Sequence, residues 1–171
     1  MKKLFLGLLI SVVLVGCFKD KDSNRVCGYT DSQTTAPDSE VVKVKAYLDS
    51  SHINNAQKHS SGFYYTIHAQ GSGTFVTNLC SSVTVTYKGK LTNGNTFDST
   101  TAGSPVVYPL GQFIVGWQKG IPLVNEGGSI TLYIPPALGY GSQVIGDGNG
   151  QVLIPANSIL IFDIQVLDIS G

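Results

Sequence analysis

The segment from residue 83 to residue 100, VTVTYKGKLTNGNTFDST, constrains the fold more than any other part of the sequence. Its first six residues alternate between apolar and polar, which is the period of a strand with one buried face. Asn93-Gly94 then supplies the residue pair that favours the tight turn of a β-hairpin. The sequence therefore predicts a hairpin that brings Tyr87 close to Phe97 and Asp98.

The first 16 residues have the composition of an export signal. Lys2 and Lys3 precede an apolar run from Leu4 to Val15, and the small Gly16 precedes Cys17. The apolar run is too short for a membrane-spanning helix and fits a secretory signal peptide. A cysteine at this position resembles the lipidation site of bacterial lipoproteins, although an ordinary signal peptide with an incidental cysteine is the alternative.

Charge and length limit the function classes. Cleavage before Cys17 would remove two of the 11 basic side chains and none of the 11 acidic ones, so the mature chain would carry a net charge of −2. No basic face remains that would indicate nucleic acid binding. At 171 residues, the chain suits one domain with short appendages.

Two further cysteines, Cys27 and Cys80, would follow the lipidated one in a chain exported to an oxidising compartment. A disulfide between them is expected there, with two unpaired thiols as the alternative.

The residues before the predicted sheet divide into two parts. Residues 17–36 are mostly polar, which predicts a flexible tether that begins at the lipidated Cys17. Residues 37–61 are expected to form a short helical segment that packs on its own domain; dimer formation is the alternative. The helix is indicated by a largely apolar stripe at helical spacing, formed by Val41, Val42, Val44, Lys45 and Leu48. Its start is indicated by the capping pattern of Thr35 with Asp38 three residues later, and by Pro37 near the first turn.

Strands with one intervening helix predict an α+β fold with an antiparallel sheet. Residues 62–69 form a first strand, and residues 130–134 and 159–167 are β-branched and alternating. Residues 111–124 are expected to contain the helix, because GWQKGI at 116–121 breaks the strand alternation, and Pro122 limits its length.

Four blocks occur in a characteristic order: the hairpin at residues 83–100, FIVGWQKGI at 113–121, ITLYIPPALGYG at 130–141 and LIPANSILIFDIQVL at 153–167. Together they resemble the FKBP-type peptidyl-prolyl cis/trans isomerases, the macrolide-binding immunophilins. The resemblance covers about residues 62–168 and implies an isomerase domain at 62–171. It also implies a curled antiparallel sheet of five or six strands wrapped around one short helix, with a pocket between them.

The resemblance also implies a set of site residues. The residues that act on the X-Pro bond would be Tyr87, Phe97, Asp98, Trp117, Tyr140 and Phe162, with Trp117 as the pocket floor. The remaining substrate-binding residues would be Val106, Phe113, Ile114, Leu153 and Ile154. Trp117, Phe97 and Phe162 alone would more often belong to a core, and Asp98 to a turn.

The implied function is a lipid-anchored isomerase of the bacterial cell envelope, in the periplasm or at the cell surface. It would assist the folding of exported proteins by twisting X-Pro amides without a covalent intermediate. Its ligands would be proline-containing peptides and unfolded proteins, and no cofactor is implied. The alternative is a non-catalytic chaperone module that holds peptides in the same groove.

Several features leave specificity open. The resemblance also implies macrolide inhibitors as ligands. Two departures from the family pattern bear on their affinity: many members have an aromatic residue where Val106 or Val107 stands, and the loop at residues 142–152 is longer than in the smallest members. The Gly-Asp-Gly-Asn-Gly run at 146–150 has too few carboxylates for a calcium loop and is expected to form a flexible flap. The histidines show no metal-type spacing, so no metal site is expected.

Overall fold

The computed structural model describes residues 27–101 and 103–171. The predicted signal peptide, Cys17 and the first half of the predicted tether lie outside the described residues. The elements in chain order are helix α1 Asp38–Ser50, strands β1 Gln57–Lys58, β2 Tyr64–Ala69, β3 Ser82–Leu91, β4 Thr96–Ser99 and β5 Val106–Pro109, helix α2 Val115–Gly120, and strands β6 Ser129–Ile134, β7 Ile145–Gly146, β8 Val152–Ile154 and β9 Leu160–Ser170.

The predicted hairpin is formed by β3 and β4. Gly89 lies opposite Asp98, and Lys90 lies opposite Thr96, with an irregularity in the register between these pairs. Gly94 has a φ of 86° at the turn, which a residue without a Cβ adopts at little cost.

One curled sheet contains seven of the strands and confirms the predicted α+β class. The path of hydrogen-bonded neighbours is β1-β2-β6-β9-β3-β4, and β5 pairs with β3; every pairing is antiparallel. The sheet exceeds the expected five or six strands because the two-residue β1 extends one edge. The sheet thus begins at Gln57, inside the segment that was expected to be helical.

The concave face of the sheet carries the main core. Cross-strand partners share a face, so the pairs Leu132–Phe162 and Gly89–Phe162 place β6, β9 and β3 on one apolar layer. Val83 and Val85 of the hairpin are fully buried in this layer, as their alternation with polar residues predicts.

Helix α2 lies across the concave face, at unusually short distance from β6. A Cβ atom built on Gly116 would come within 2.6 Å of the Ile134 side chain, and one on Gly120 would come within 2.6 Å of Leu132. The two glycines are about one helical turn apart and therefore lie on the same face of α2. Because this face has no side chains, the backbone of α2 can approach the side chains of β6 closely. The helix ends at Gly120, before Pro122, as predicted, and a 3₁₀ turn at Ile121–Leu123 follows it.

Helix α1 covers part of the convex face, which confirms that it packs on its own domain. Val41, Val44 and Leu48 are buried against the outward side chains of β2, β6 and β9. Val42, which the sequence also suggested for this face, is 65% exposed. No helix in the described ranges 27–101 and 103–171 has both the length and the apolar character to cross a membrane.

The start of α1 differs from the expected cap. Pro37 is the N-cap residue, with an extended ψ of 148°, and no side chain caps the helix. A proline forces extended backbone on the residue before it, here Ala36. Thr35 therefore lies outside the helix and cannot cap it.

Residues 27–36 lie along the domain, unlike the second half of a flexible tether. The Tyr29 ring packs over Gly111, so closely that a Cβ there would come within 2.3 Å of the ring. Lys119 of α2 donates a hydrogen bond to the Ser32 carbonyl oxygen at 2.7 Å. We call residues 27–36 the N-terminal strap.

The strap is also bonded covalently to the domain. Cys27 and Cys80 form the expected disulfide, with their Cα atoms 5.6 Å apart and 53 positions apart in sequence. Cys80 lies between Leu79 and Ser81, whose carbonyl oxygens accept hydrogen bonds from Gly111 and Leu110. The disulfide is therefore next to the chain segment that leads into α2.

The long loop at 142–152, which was expected to form a flap, contains local regular structure. Its two ends pair as β7 and β8. The Asp147 carboxylate accepts hydrogen bonds from the Asn149 and Gln151 amides at 2.8 and 3.1 Å. These bonds lower the pKa of Asp147, against a smaller opposing effect of burial. The aspartate thus stabilises a turn.

We expect loss of the Cys27–Cys80 disulfide to destabilise the fold. Closing a loop of this span is worth about 4 kcal/mol in the chain-entropy model. Urea unfolding of Cys27→Ala/Cys80→Ala, compared with the oxidised wild type, measures the loss of unfolding free energy. Reduced wild type is the control and should match the double variant; an unchanged midpoint in both would contradict the prediction.

Candidate active site

A cavity of about 240 Å³ opens between α2 and the concave face of the sheet. It is mainly aromatic and is lined by Tyr87, Phe97, Asp98, Val106, Tyr108, Gln112, Phe113, Ile114, Trp117, Tyr140 and Phe162.

Trp117 occupies the centre of the aromatic set. Its ring stacks on Phe113 with centroids 4.8 Å apart, and it meets Phe162 and Tyr87 edge to face at 5.0 and 5.2 Å. These are the separations of favourable aromatic pairs. The Trp117 Nε1 atom is buried and has no hydrogen-bond partner among the residues that the structure describes. Aromatic packing therefore holds this ring in place.

Phe97 reaches the cavity because the facing strand has a glycine. Phe97 and Phe162 pack edge to face with centroids 5.4 Å apart. A Cβ atom on Gly89 would come within 2.6 Å of the Phe97 ring and 2.9 Å of Phe162. The hairpin thus makes room for both rings by omitting a side chain at this position.

Tyr87 and Asp98 form the polar part of the cavity wall. The Tyr87 hydroxyl donates a hydrogen bond to Asp98 Oδ2 across the hairpin. Burial, followed by this hydrogen bond and the charge of Asp98, raises the pKa of Tyr87 far above its usual range. Tyr87 therefore stays a neutral donor, and Asp98 fixes the direction of its hydroxyl.

Tyr140 forms another part of the cavity wall and is half-buried. Burial, and secondarily the charge of Asp98, raises the pKa of its phenol. Tyr140 follows a 3₁₀ turn at Pro136–Leu138 that leaves β6. Its neutral hydroxyl can donate a hydrogen bond to a bound ligand.

The third wall is the segment from Gln112 to Ile114. The Gln118 side chain of α2 donates hydrogen bonds to the carbonyl oxygens of Phe113 at 2.7 Å and Gly111 at 3.3 Å. Ile114 is the N-cap of α2, and the helix's own bonds begin with Trp117 N–H to Ile114 O at 2.9 Å. The Ile114 N–H is therefore not used within the helix.

Nine of the eleven pocket residues expected from the sequence line this cavity, and Leu153 and Ile154 do not. Ile154 is only 3% exposed and belongs to the core. Leu153 points to a separate shallow depression beside Phe97. Successive residues of β8 face opposite sides of the strand, so Ile154 packs in the core while Leu153 lies beside Phe97 outside the cavity.

Tyr108 and Gln112 line the cavity but were not among the residues expected from the sequence. Tyr108 packs edge to face on Phe113, with centroids 6.0 Å apart, and is half-exposed. Its position in an alternating strand beside the predicted pocket residue Val106 was an available signal. No sequence pattern marks Gln112.

A larger depression of about 550 Å³ lies on the convex face of the sheet, lined mostly by polar residues. There Thr131 donates a hydrogen bond to Asp163 and also contacts His68 Nε2, both at 2.8 Å, and Lys90 pairs with Asp163 at 2.7 Å. Burial alone would raise the pKa of Asp163, but the bonds from Lys90 and Thr131 lower it overall. These groups satisfy one another, so the aromatic cavity is the better candidate site.

Comparison with known proteins points to the same cavity-bearing region. The family described as FKBP-type peptidyl-prolyl cis-trans isomerase matches residues 77–167. The FKBP-type peptidyl-prolyl cis-trans isomerase FkpA of Buchnera aphidicola subsp. Schizaphis graminum is 44% identical over 133 residues, which are 77% of this chain and 50% of that protein. This chain thus spans about half the length of the curated relatives that it matches.

Two solved structures share the fold. The crystal structure of FkpA from Escherichia coli aligns with a TM-score of 0.65 and 33% identity over 78% of this chain and 61% of that chain. A peptidyl-prolyl cis-trans isomerase from Pseudomonas syringae pv. tomato aligns with a TM-score of 0.65 and 25% identity over 81% of this chain and 99% of that chain.

The hydrogen bond between Tyr87 and Asp98 can be checked by titration. The difference between the ultraviolet titration curves of the wild type and of Tyr87→Phe isolates the ionisation of Tyr87. This ionisation should occur well above pH 10, near which an ordinary tyrosine titrates. Asp98→Asn should move this step to lower pH, because it removes the negative charge that opposes ionisation. Because the pKa of Tyr87 is higher in the folded than in the unfolded protein, its neutral phenol contributes to the free energy of unfolding. This contribution is fully present below about pH 10 and is lost as the pH rises further. A Tyr87 step at pH 10 in the folded wild type would contradict this assignment.

Proposed function

The chain belongs to the FKBP-type peptidyl-prolyl cis-trans isomerase family, and we propose that it accelerates cis/trans exchange of the bond before proline. Its substrates would be proline-containing peptides and unfolded exported proteins. The observation that carries this proposal is the cavity in which Trp117, Phe113 and Phe162 surround a space next to the Tyr87–Asp98 pair.

The chemistry requires no acid, base or covalent intermediate. Amide resonance sets a rotation barrier of about 18–20 kcal/mol, and each tenfold acceleration requires about 1.4 kcal/mol. Water stabilises the planar, charge-separated amide by hydrogen bonding to it. An aromatic cavity that removes the amide from water and favours its twisted form therefore lowers the barrier.

Each group of side chains has a distinct part in this proposal. The Trp117 ring would support the proline ring, with Phe97 and Phe162 beside it. Asp98 would orient Tyr87 and affect the substrate carbonyl through its charge, without exchanging protons. The Tyr140 hydroxyl and the Ile114 N–H would bind the peptide backbone. Bulky apolar residues before proline are the expected preference.

A non-catalytic chaperone module remains the rival function. The same cavity could hold proline-containing segments without accelerating their exchange. The full aromatic set around Trp117 favours catalysis, because holding a chain would not need a space of this shape.

The isomerase proposal predicts graded losses in an X-Pro peptide assay. Phe97→Ala should lower kcat/KM roughly tenfold and weaken binding, because it widens the cavity. Asp98→Asn should lower the rate with a smaller loss of binding if it acts in the twisted state. Phe75→Ala, an exposed phenylalanine outside the cavity, and Asp168→Asn, an exposed aspartate of β9, are the matched controls.

Two-dimensional exchange NMR follows both binding and exchange. Uncatalysed exchange takes tens to hundreds of seconds, so acceleration is readily observed. A folded protein that binds the peptide and leaves its exchange rate unchanged would refute catalysis and support the chaperone. A macrolide should compete with the peptide, since we propose that it occupies the same cavity.

The cellular location that we propose is the bacterial cell envelope, with Cys17 lipidated. The sequence of residues 1–17 supports this, and so does the disulfide, because such bonds persist in oxidising compartments. The disulfide fixes Cys27 to the domain, so a lipid on Cys17 would lie ten positions before it along the chain. Such a span reaches at most about 36 Å, which would hold the domain near the membrane, in the periplasm or at the cell surface.

Metabolic labelling with a fatty acid tests the anchor. We expect label on the wild type and none on Cys17→Ser, because the thiol of Cys17 would carry the lipid. Cys27→Ser/Cys80→Ser keeps Cys17 and is the matched control, so it should retain the label. An unlabelled wild type, or label on Cys17→Ser, would exclude lipidation at this residue.

A further inference from the structure

A carboxylate of helix α1 reaches the turn that carries Tyr140. Glu40 lies in the first turn of α1, and its Oε2 atom accepts a hydrogen bond from the Ala137 backbone N–H at 2.8 Å. The two residues are 97 positions apart in sequence. We propose that Glu40 is a positioning residue that holds the Tyr140 wall in place; this inference rests on the proposed function.

Ala137 needs an acceptor from outside its own turn. Pro135 and Pro136 precede it and have no N–H, so Ala137 provides the first donor of the turn. The next donors are satisfied locally, since Leu138 N–H binds Pro135 O and Gly139 N–H binds Pro136 O. Glu40 therefore caps this 3₁₀ turn from another element, through a side-chain oxygen that accepts the Ala137 N–H.

The turn transmits its position directly to Tyr140. The Pro136 carbonyl oxygen accepts hydrogen bonds from Gly139 and Gly141, both at 2.9 Å, so it holds the two neighbours of Tyr140. On its other side, the carbonyl oxygens of Tyr140 and Gly141 accept hydrogen bonds from Gln143 and Asn157, so the turn is the restraint on the N-terminal side of Tyr140. The Glu40–Ala137 bond is thus one of the contacts that fix the path of the chain into this wall.

Glu40 is itself held by the packing of α1. The next residue, Val41, is buried, and the helix packs on Tyr133, which lies two residues before Pro135. Helix α1 therefore contacts both the strand that enters the turn and the turn itself. Asp38, in the same first turn of α1, is exposed and makes no comparable bond among the described residues.

Three variants separate the reach of the carboxylate from its charge. Glu40→Gln keeps an oxygen acceptor at the same reach, Glu40→Asp keeps the charge but withdraws it by one methylene, and Glu40→Ala removes both. Asp38→Ala is the matched control. Hydrogen exchange at the Ala137 amide should accelerate in Glu40→Ala and Glu40→Asp, and stay near wild type in Glu40→Gln and Asp38→Ala.

Activity then tests the link to Tyr140. We expect Glu40→Ala to lower kcat/KM three- to tenfold and Glu40→Gln to restore it. In a Tyr140→Phe background, Glu40→Ala should have little further effect, because the hydroxyl that it positions is already absent. Urea unfolding of each variant identifies any general loss of folding, and Glu40→Asp, the milder change, is used if Glu40→Ala is unfolded.

The outcomes distinguish this inference from the proposed function. If the wild type is active and Glu40→Ala loses equal activity with and without Tyr140→Phe, the positioning role is refuted while the isomerase stands. Unchanged exchange at Ala137 in both Glu40→Ala and Glu40→Asp also refutes it. If the wild type is inactive, the isomerase fails, and X-Pro peptide affinity replaces kcat/KM in the same comparison: a loss in Glu40→Ala that Glu40→Gln restores supports positioning, and no loss refutes it.

Discussion

The close approach of helix α2 to strand β6 is the contact on which the site depends. Gly116 and Gly120 allow the helix backbone to lie against Ile134 and Leu132, where any larger residue would push it outward. Trp117, between these glycines, is thereby held at the base of the cavity against Phe162. Close packing of a protein interior transmits such a shift, so a displaced helix would also change the aromatic separations. The shape of the cavity thus depends on the lack of side chains at Gly116 and Gly120.

Features governed by neighbouring residues could be predicted from the sequence. The period of two before Asn93-Gly94 predicted the hairpin, since alternation and turn geometry are both local. The break in alternation before Pro122 predicted α2, and residues shared with a known family predicted nine of the cavity residues. The same local reasoning failed at Thr35, where the conformational preference imposed by Pro37 outweighed a capping pattern.

Features that depend on distant pairings could not be predicted. Ile154 is buried because it packs in the main core cluster, whose other members come from elements far from it in the sequence. The strap is polar and was expected to be flexible, yet Tyr29 and the Lys119–Ser32 bond attach it to residues far along the chain. The bond between Glu40 and Ala137 spans 97 positions and likewise has no sequence pattern.

The attachment of the strap also determines how the domain responds to mechanical load. A force applied through the N-terminus enters the fold at Cys80, beside the start of β3, and reaches a strand with partners on both sides. Helix α1 and residues 28–36 lie within the covalent loop closed by the disulfide, so they are shielded from that force. If the chain is anchored as we propose, the disulfide would keep α1 out of the line of force under tension. After its reduction, the force would pass through the non-covalent contacts of the strap to α1.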